Sequence, residues 1–441
     1  MGRPFGLFNS NSLHSELDHY GNHVKILVLP GTTLVAREIR VSLEAMRDAI
    51  LYGAGFDLTH PDTSLYQDYF YVESGMNEYN MNALREIVLK EQIQFIFLAH
   101  DQYMYDLREC SEIAGARIIH NNARAIEITS YKSKTYKFFY GRIPTPITYT
   151  LEEALQLDEV FFVKPDRGQG SRGGFRTSKS SLEASYSPKY IISENLPGRE
   201  YTVDCFSSRD SKIIYAAGRE RLQTRDGVSI ETKIVSLPAI SEYSKLISDA
   251  LKLNGAWFFQ MKEDSSGDLK LLEIGLRIAG ASGIQRLRGI NLPQMQIYQE
   301  LGQEVSLLAH ATKPELSQLG VDLGFDYQEV FLDFDDTMVV GETVRPNVIS
   351  FLTNCKGKNI PVSVVSRHAG NLEQILLQKF PGFTFNDIIH IKDKSEKSKY
   401  MPRSKKILFI DDSFSERKEV KKSLKQEVLA LDPSTFQYLE S

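Results

Sequence analysis

The segment VFLDFDDTMV places Asp333 and Asp335 two residues apart at the end of an apolar run. Side chains alternate along a strand, so the two carboxylates face one pocket. Such a pair can divide the work of phosphate chemistry: one attacks phosphorus, the other passes protons. VVSRH closes a second apolar run with Ser366, whose hydroxyl could bond a phosphoryl oxygen. KDKSEKSKY offers Lys394, with Lys397 in reserve, as a positive charge for the same group. ILFIDDSFSER ends a third run with Asp411 and Asp412, oxygen donors suited to Mg²⁺. Each piece has a plainer reading, since Asp-x-Asp can cap a helix and Asp-Asp can be turn chemistry. The four together, in this order on alternating strands and helices, are hard to explain that way. His368, beside Ser366, reads as a satisfied surface residue.

A second constellation lies upstream. The run VFFVKP ends in Lys164 and continues into PDRGQGSRGGF. Gly168, Gly170, Ser171, Gly173 and Gly174 would let backbone N–H groups approach phosphate oxygens without interference from Cβ, and a lysine at the strand end adds a point charge. Alone, such a stretch is also what a flexible hairpin looks like. Its company strengthens it: SYKSKTYKFFYGRIPTP supplies Lys132 and Lys134 on a basic helix, and ISENLPGREYTVD supplies Glu194 and Glu200 at a strand–turn–strand junction. Gln260 and Glu273 fall on two strands joined by the turn Ser265-Ser266-Gly267-Asp268, so they can converge, and Arg277 follows four residues after Glu273.

Residues 24–122 read as a small doubly wound α/β domain. VKILVL forms a buried strand, a helical pattern runs from Leu34 to near Gly53, and strands follow at 93–98 and 117–119. Ligands of such sheets lie beyond the carboxyl ends of strands, which places Thr32, His100 and Asp101 to touch a substrate. Residues 123–312 become α+β, with strands expected at 160–164, 190–194, 200–206, 212–217 and 270–274. A polar linker spans 313–327, and 328–441 returns to alternating strand and helix, with strands at 330–332, 362–365 and 407–410. Residues 1–23 form a polar arm.

In order and spacing, residues 24–310 resemble the ATP-grasp superfamily, nearest its carbamoyl-phosphate-synthetase-like branch. Residues 328–441 resemble the haloacid dehalogenase (HAD) superfamily, and KSEKSKY…FIDDSFSER looks like its FkbH-like IIIC branch. The first resemblance implies a Rossmann-like pre-ATP-grasp domain followed by the ATP-grasp fold. It implies that Lys132 or Lys134 and Lys164 hold ATP phosphates under a flap containing Gly168, Gly170, Ser171 and Gly173, with Glu194 at the ribose or adenine-side hinge and Glu200 nearby. Gln260 and Glu273 would hold Mg²⁺ and Arg277 would stabilise the transferring phosphoryl group. The family usually reads Glu-x-Asn-Pro-Arg, whereas this chain has Gly275 at the Asn position, which leaves one metal ligand to water or substrate, or leaves a module that binds ATP without turnover. The second resemblance implies a Rossmannoid domain with Asp333 as nucleophile, Asp335 as general acid/base, Ser366 and Lys394 as phosphoryl clamps, and Asp411 or Asp412 on Mg²⁺ with Asp333; the short gaps from Asp333 to Ser366 and from Ser366 to Lys394 leave no room for a cap domain.

The expected protein is therefore bifunctional, an ATP-grasp ligase or kinase joined to a HAD phosphatase or phosphotransferase. Alternatives are a phosphatase whose ATP-grasp half only recognises ligand, and a nucleotide sensor without catalysis. The formal net charge of −5 gives no reason to expect nucleic acid or an anionic membrane. Cys110, Cys205 and Cys355 have no metal-ligand spacing and fit a reducing compartment, and no apolar run approaches the roughly 20 residues a membrane helix needs. The expectation is a cytoplasmic enzyme using ATP, Mg²⁺ and a small-molecule acceptor, with room for a homodimer.

Overall fold

The strand Val24–Leu29 is the centre of a six-stranded sheet, because its apolar side chains are buried from both faces. The computed structural model describes residues 23–168, 173–225, 227–317 and 320–439. In spatial order the sheet runs Tyr69–Tyr71, Ala49–Gly55, Val24–Leu29, Phe95–Leu98, Ala116–Ile119 and Glu112–Ile113, parallel except for the last pair. Thr33 caps the helix Leu34–Leu43, its hydroxyl accepting from the Ala36 N–H at 3.0 Å.

That helix stops well short of Gly53, so the helical reading across 44–53 is wrong. Ala49–Gly55 is a strand, and its glycines have a reason outside their own segment. The Tyr69 ring lies across them, and a Cβ on Gly53 would come within 2.4 Å of it.

The middle of the chain builds two antiparallel sheets. One runs Thr148–Tyr149, Tyr190–Glu194, Val160–Pro165 and Phe175–Ser178. The other runs Leu269–Gly275, Gly255–Glu263, Glu200–Ser207, Ile213–Arg225, Val228–Val235, Glu315–Ser317 and Gly320–Asp322. The expected strand at 212–217 is the start of a strand that continues to Arg225. The stretch expected to be a linker, 313–327, instead carries the last two strands of this sheet, with Leu316 opposite Thr232.

The last sheet is wholly parallel, in the order Ile388–His390, Val362–Ser366, Glu329–Leu332, Ile407–Ile410 and Val428–Leu431. The chain starts in the middle, winds outward to one edge, then crosses to the other side. That reversal opens a crevice beyond the carboxyl ends of Glu329–Leu332 and Ile407–Ile410. A small hairpin, Val339–Val340 with Thr343–Val344, follows at once, and no larger insertion separates these strands.

Arg286, 1% exposed, ties the three regions together. It ion-pairs with Glu38 at 3.0 Å, donates to Tyr438 Oη at 2.7 Å and donates to Ser42 Oγ. Among the described residues, no helix is long and apolar enough to cross a membrane.

Candidate functional sites

A cavity opens between the two middle sheets, lined by Lys132, Lys164, Gly168, Glu194, Glu200, Gln260 and Glu273. Lys164, at the end of Val160–Pro165, donates to Tyr136 Oη at 2.9 Å. Burial makes its charge costly and pushes its pKa down to about 8. Lys132 begins the helix Lys132–Phe139 and donates to the Gly168 carbonyl at 3.1 Å. Burial, then the neighbouring Lys164 charge, push its pKa down as well, against the pull of Glu273. Lys134 points elsewhere, ion-paired with Glu127. Asp166, absent from the sequence reading, anchors the Lys132 helix. It accepts from the Ser133 N–H at 2.8 Å and the Ser133 hydroxyl at 2.6 Å, so an anion sits at the helix N-terminus.

Gly173 adopts φ +75°, open to glycine at little cost, and a Cβ there would meet Tyr190 Oη at 3.1 Å. Gly170 and Ser171 lie outside the described residues.

On the far wall Gln260 and Glu273 stand directly opposite each other in the antiparallel pair, so their side chains share one face. Arg221, also missed from sequence, lies behind them. It donates to Gln260 Oε1 at 3.0 Å and ion-pairs with Glu200, which Lys262 also contacts at 3.3 Å. Glu194 accepts from the Ile147 N–H at 2.9 Å.

A second cavity shares Lys132, Gly168 and Glu273 with the first and adds His100, Asp101, Gln102, Arg167, Phe258 and Gly275. His100 and Asp101 thus border a cavity, whereas Thr32 lines neither one. Arg277 is not among the lining residues of these two cavities either. Its guanidinium grips Asp101 with two hydrogen bonds of 2.7 and 2.8 Å. In this conformation Arg277 is a clamp on Asp101 rather than a group pointed at the first cavity, because the bidentate geometry uses two N–H donors. The Gly275 position is filled from across the sheet: a Cβ there would lie 2.3 Å from the Phe258 ring.

The C-terminal crevice gathers a third set. Asp333 follows Glu329–Leu332, Ser366 ends Val362–Ser366, and Asp411 and Asp412 follow Ile407–Ile410. Carboxylate oxygens of Asp333, Asp411 and Asp412 lie within 4.8 Å of one another. Lys397 is buried among them, donating to Asp333 at 2.6 Å and Asp411 at 2.7 Å. Lys394, the lysine first expected there, is exposed on the preceding turn; Lys397 opens the 3-10 turn Lys397–Tyr400, which directs it inward. Burial disfavours its charge, yet Asp411 and Asp333 hold its pKa above the usual value. Burial and the Asp411 charge push Asp333 up to about 7. Thr337 fixes Asp412, accepting from its N–H at 2.9 Å. Three carboxyl groups gathered around one ammonium make an oxygen-donor set that fits a divalent cation of the Mg²⁺ kind.

Two residues after Asp333, Asp335 has its side chain 53% exposed, and both of its oxygens lie at 2.9 and 3.0 Å from His368 Nδ1. His368 is therefore no idle surface residue.

Residues 186–319 match the family described as ATP-grasp in the biosynthetic pathway with Ter operon. The biotin carboxylase domain of Hydrogenobacter thermophilus 2-oxoglutarate carboxylase, solved with MgADP, ADP and bicarbonate, aligns with TM-score 0.56 and 14% identity, covering 66% of this chain and 73% of that one. Campylobacter jejuni biotin carboxylase aligns with TM-score 0.55 and 15% identity, covering 67% and 75%. N5-carboxyaminoimidazole synthetase from Staphylococcus aureus, solved with ADP, gives 0.54 and 14%, covering 66% and 81%. No curated protein sequence matches. About two thirds of the chain shares the fold of these solved structures, and the part at 186–319 matches an ATP-grasp family. The family match contains Glu194, Glu200, Gln260, Glu273 and Arg277, and the C-terminal parallel sheet lies beyond the matched residues.

Proposed function

We propose that the ATP-grasp half binds ATP with Mg²⁺ in the first cavity and transfers a phosphoryl group to a small acceptor in the second, as a ligase or kinase does. The observation that carries this reading is the placement of Lys132 and Lys164 across one cavity from the opposed pair Gln260 and Glu273. Two ammonium groups suit polyphosphate oxygens, and a carboxylate with a carboxamide suits a hard cation bridging them. The shared wall of Lys132 and Glu273 would put the terminal phosphate at the boundary between nucleotide and acceptor. Mg²⁺, when bound, neutralises charge that develops on the phosphates. Lys164 and Lys132 orient the nucleotide, with Gly168 and Gly174 beside it.

In the C-terminal half we read a HAD-type phosphatase or phosphotransferase. Asp333 attacks phosphorus, Asp335 gives and takes the proton, Ser366 bonds a phosphoryl oxygen, and Lys397 takes the role first assigned to Lys394. Asp333, Asp411 and Asp412 would hold Mg²⁺, which offsets charge on the phosphoryl oxygens. Without an inserted cap the crevice is open, which suits a bulky phosphoester. Covalent fusion would raise the effective concentration of a phosphorylated intermediate at the second site.

Two observations favour a second reading, in which the ATP-grasp half only recognises its ligand: Arg277 is engaged by Asp101, and Phe258 fills the Gly275 position. ATP consumption that depends on an acceptor separates the two. Turnover abolished by Lys164→Met supports the ligase or kinase; ATP binding without turnover across a broad acceptor panel supports the recognition module.

A further inference from the structure

His368 follows the strand Val362–Ser366 by two residues and sits over the Asp-x-Asp turn. Its Nδ1 is nearly equidistant from both oxygens of Asp335, at 2.9 and 3.0 Å. The ring is itself fixed: the edge of Phe334 meets it at 5.1 Å and 75°, and the backbone carbonyl of His368 is bonded by His390 Nε2 at 2.7 Å. The flanking Arg367 pins the same loop, donating to Glu416 at 2.6 Å and the Ser395 carbonyl at 2.7 Å. Asp335, by contrast, has its side chain half exposed. An exposed carboxylate on a short side chain samples several rotamers, and ordering it costs entropy each time the reaction needs it.

We propose that His368 is a positioning residue that holds the Asp335 carboxyl group toward the phosphoester in the C-terminal crevice. The proposal rests on the phosphatase reading of that crevice. In the first half-reaction an Asp333 oxygen bonds phosphorus, the ester P–O bond breaks, and the departing alkoxide takes the Asp335 proton to leave as alcohol. In the second, water bonds phosphorus and yields its proton to the Asp335 carboxylate while the Asp333–phosphorus bond breaks, releasing phosphate. His368 exchanges no proton with substrate. Through contacts to both carboxyl oxygens, it limits the rotamers Asp335 samples.

The test uses the leaving group as a ruler. Alkyl phosphates need a proton on the departing oxygen, whereas p-nitrophenyl phosphate departs as a stable phenolate. The full-length protein with Mg²⁺ would be assayed on p-nitrophenyl phosphate and on a panel of alkyl phosphomonoesters, reading kcat/KM for wild type, His368→Ala, His368→Asn and Asp335→Asn. A well-placed general acid contributes about 10²–10⁴-fold, so a displaced one should cost about 10–100-fold. The expected result is that loss for His368→Ala on alkyl esters, less than threefold loss on the aryl ester, and partial recovery in His368→Asn, whose amide nitrogen takes the place of Nδ1. Equal losses on both ester types, or none, would overturn the proposal while leaving the phosphatase reading intact. Wild-type protein inactive on every ester would remove the phosphatase reading and the proposal together.

Discussion

Gly275 and Phe258 face each other across an antiparallel pair so closely that the glycine has no room for a Cβ, which would lie 2.3 Å from the ring. The glycine that departs from the ATP-grasp pattern is thus half of a packing pair. Restoring the family's side chain alone should fail: Gly275→Asn would overpack the strand pair and lower stability by about 1–3 kcal/mol. Combining it with Phe258→Ala should recover much of that loss. Thermal unfolding of both single variants and the double variant checks the pairing; additive losses would refute it.

The lysines of the C-terminal region separate cleanly. Lys397 bonds two buried carboxylates, and Lys394 lies exposed on the turn before it. Lys397→Met should reduce phosphoester hydrolysis by about 10²–10³-fold, the usual scale for one electrostatic group at a reacting centre. Lys394→Met should stay within about threefold of wild type. Steady-state kinetics with circular dichroism as a folding control decides between them.

The cavity proposed to hold ATP makes a parallel distinction. Lys132 and Lys164 line it, whereas Lys134 is held by Glu127. Isothermal titration with ATP and Mg²⁺ should show affinity weakened at least tenfold in Lys132→Met and Lys164→Met. Lys134→Met should bind as wild type does.

His310 joins the ATP-grasp region to the C-terminal sheet, with its Nε2 at 2.8 Å from the Ala430 carbonyl. Burial pushes its pKa down from 6.5 to about 4. The unfolded chain therefore binds a proton that the folded one refuses between those values. Stability from this residue is full above about pH 6.5 and is lost as pH falls toward 4, by on the order of 3 kcal/mol. Denaturant unfolding at pH 7.5 and pH 5 should show a smaller drop for His310→Gln than for wild type; an equal drop would assign the acid sensitivity to other groups.

The parallel C-terminal strands were legible because VFL, VSVV and ILFI are apolar runs ending on polar side chains. Ile388–His390 was not, being a short segment recognisable only beside an existing strand, and the equally apolar run Val428–Leu431 went unread. The expected helix ran on to near Gly53, into the strand Ala49–Gly55, because the glycines of that strand accommodate Tyr69, a relation no local pattern records. The same limit hid the site's supports. Arg277 meets Asp101 across 176 positions, and the choice of Lys397 over Lys394 turns on a single 3-10 turn. Chemistry-bearing residue types were visible in sequence; which side chain occupies which contact was decided by packing between distant segments.

The central claim is that two phosphate chemistries act in succession on one metabolite. Its most direct test is mass spectrometry of a metabolite mixture incubated with ATP, Mg²⁺ and either wild type, Asp333→Asn or Asp333→Asn/Lys164→Met. The account predicts a phosphorylated species that accumulates only with Asp333→Asn, turns over with wild type, and fails to form in the double variant. ATP left unconsumed in every mixture, with no metabolite altered by any of the three proteins, would contradict it.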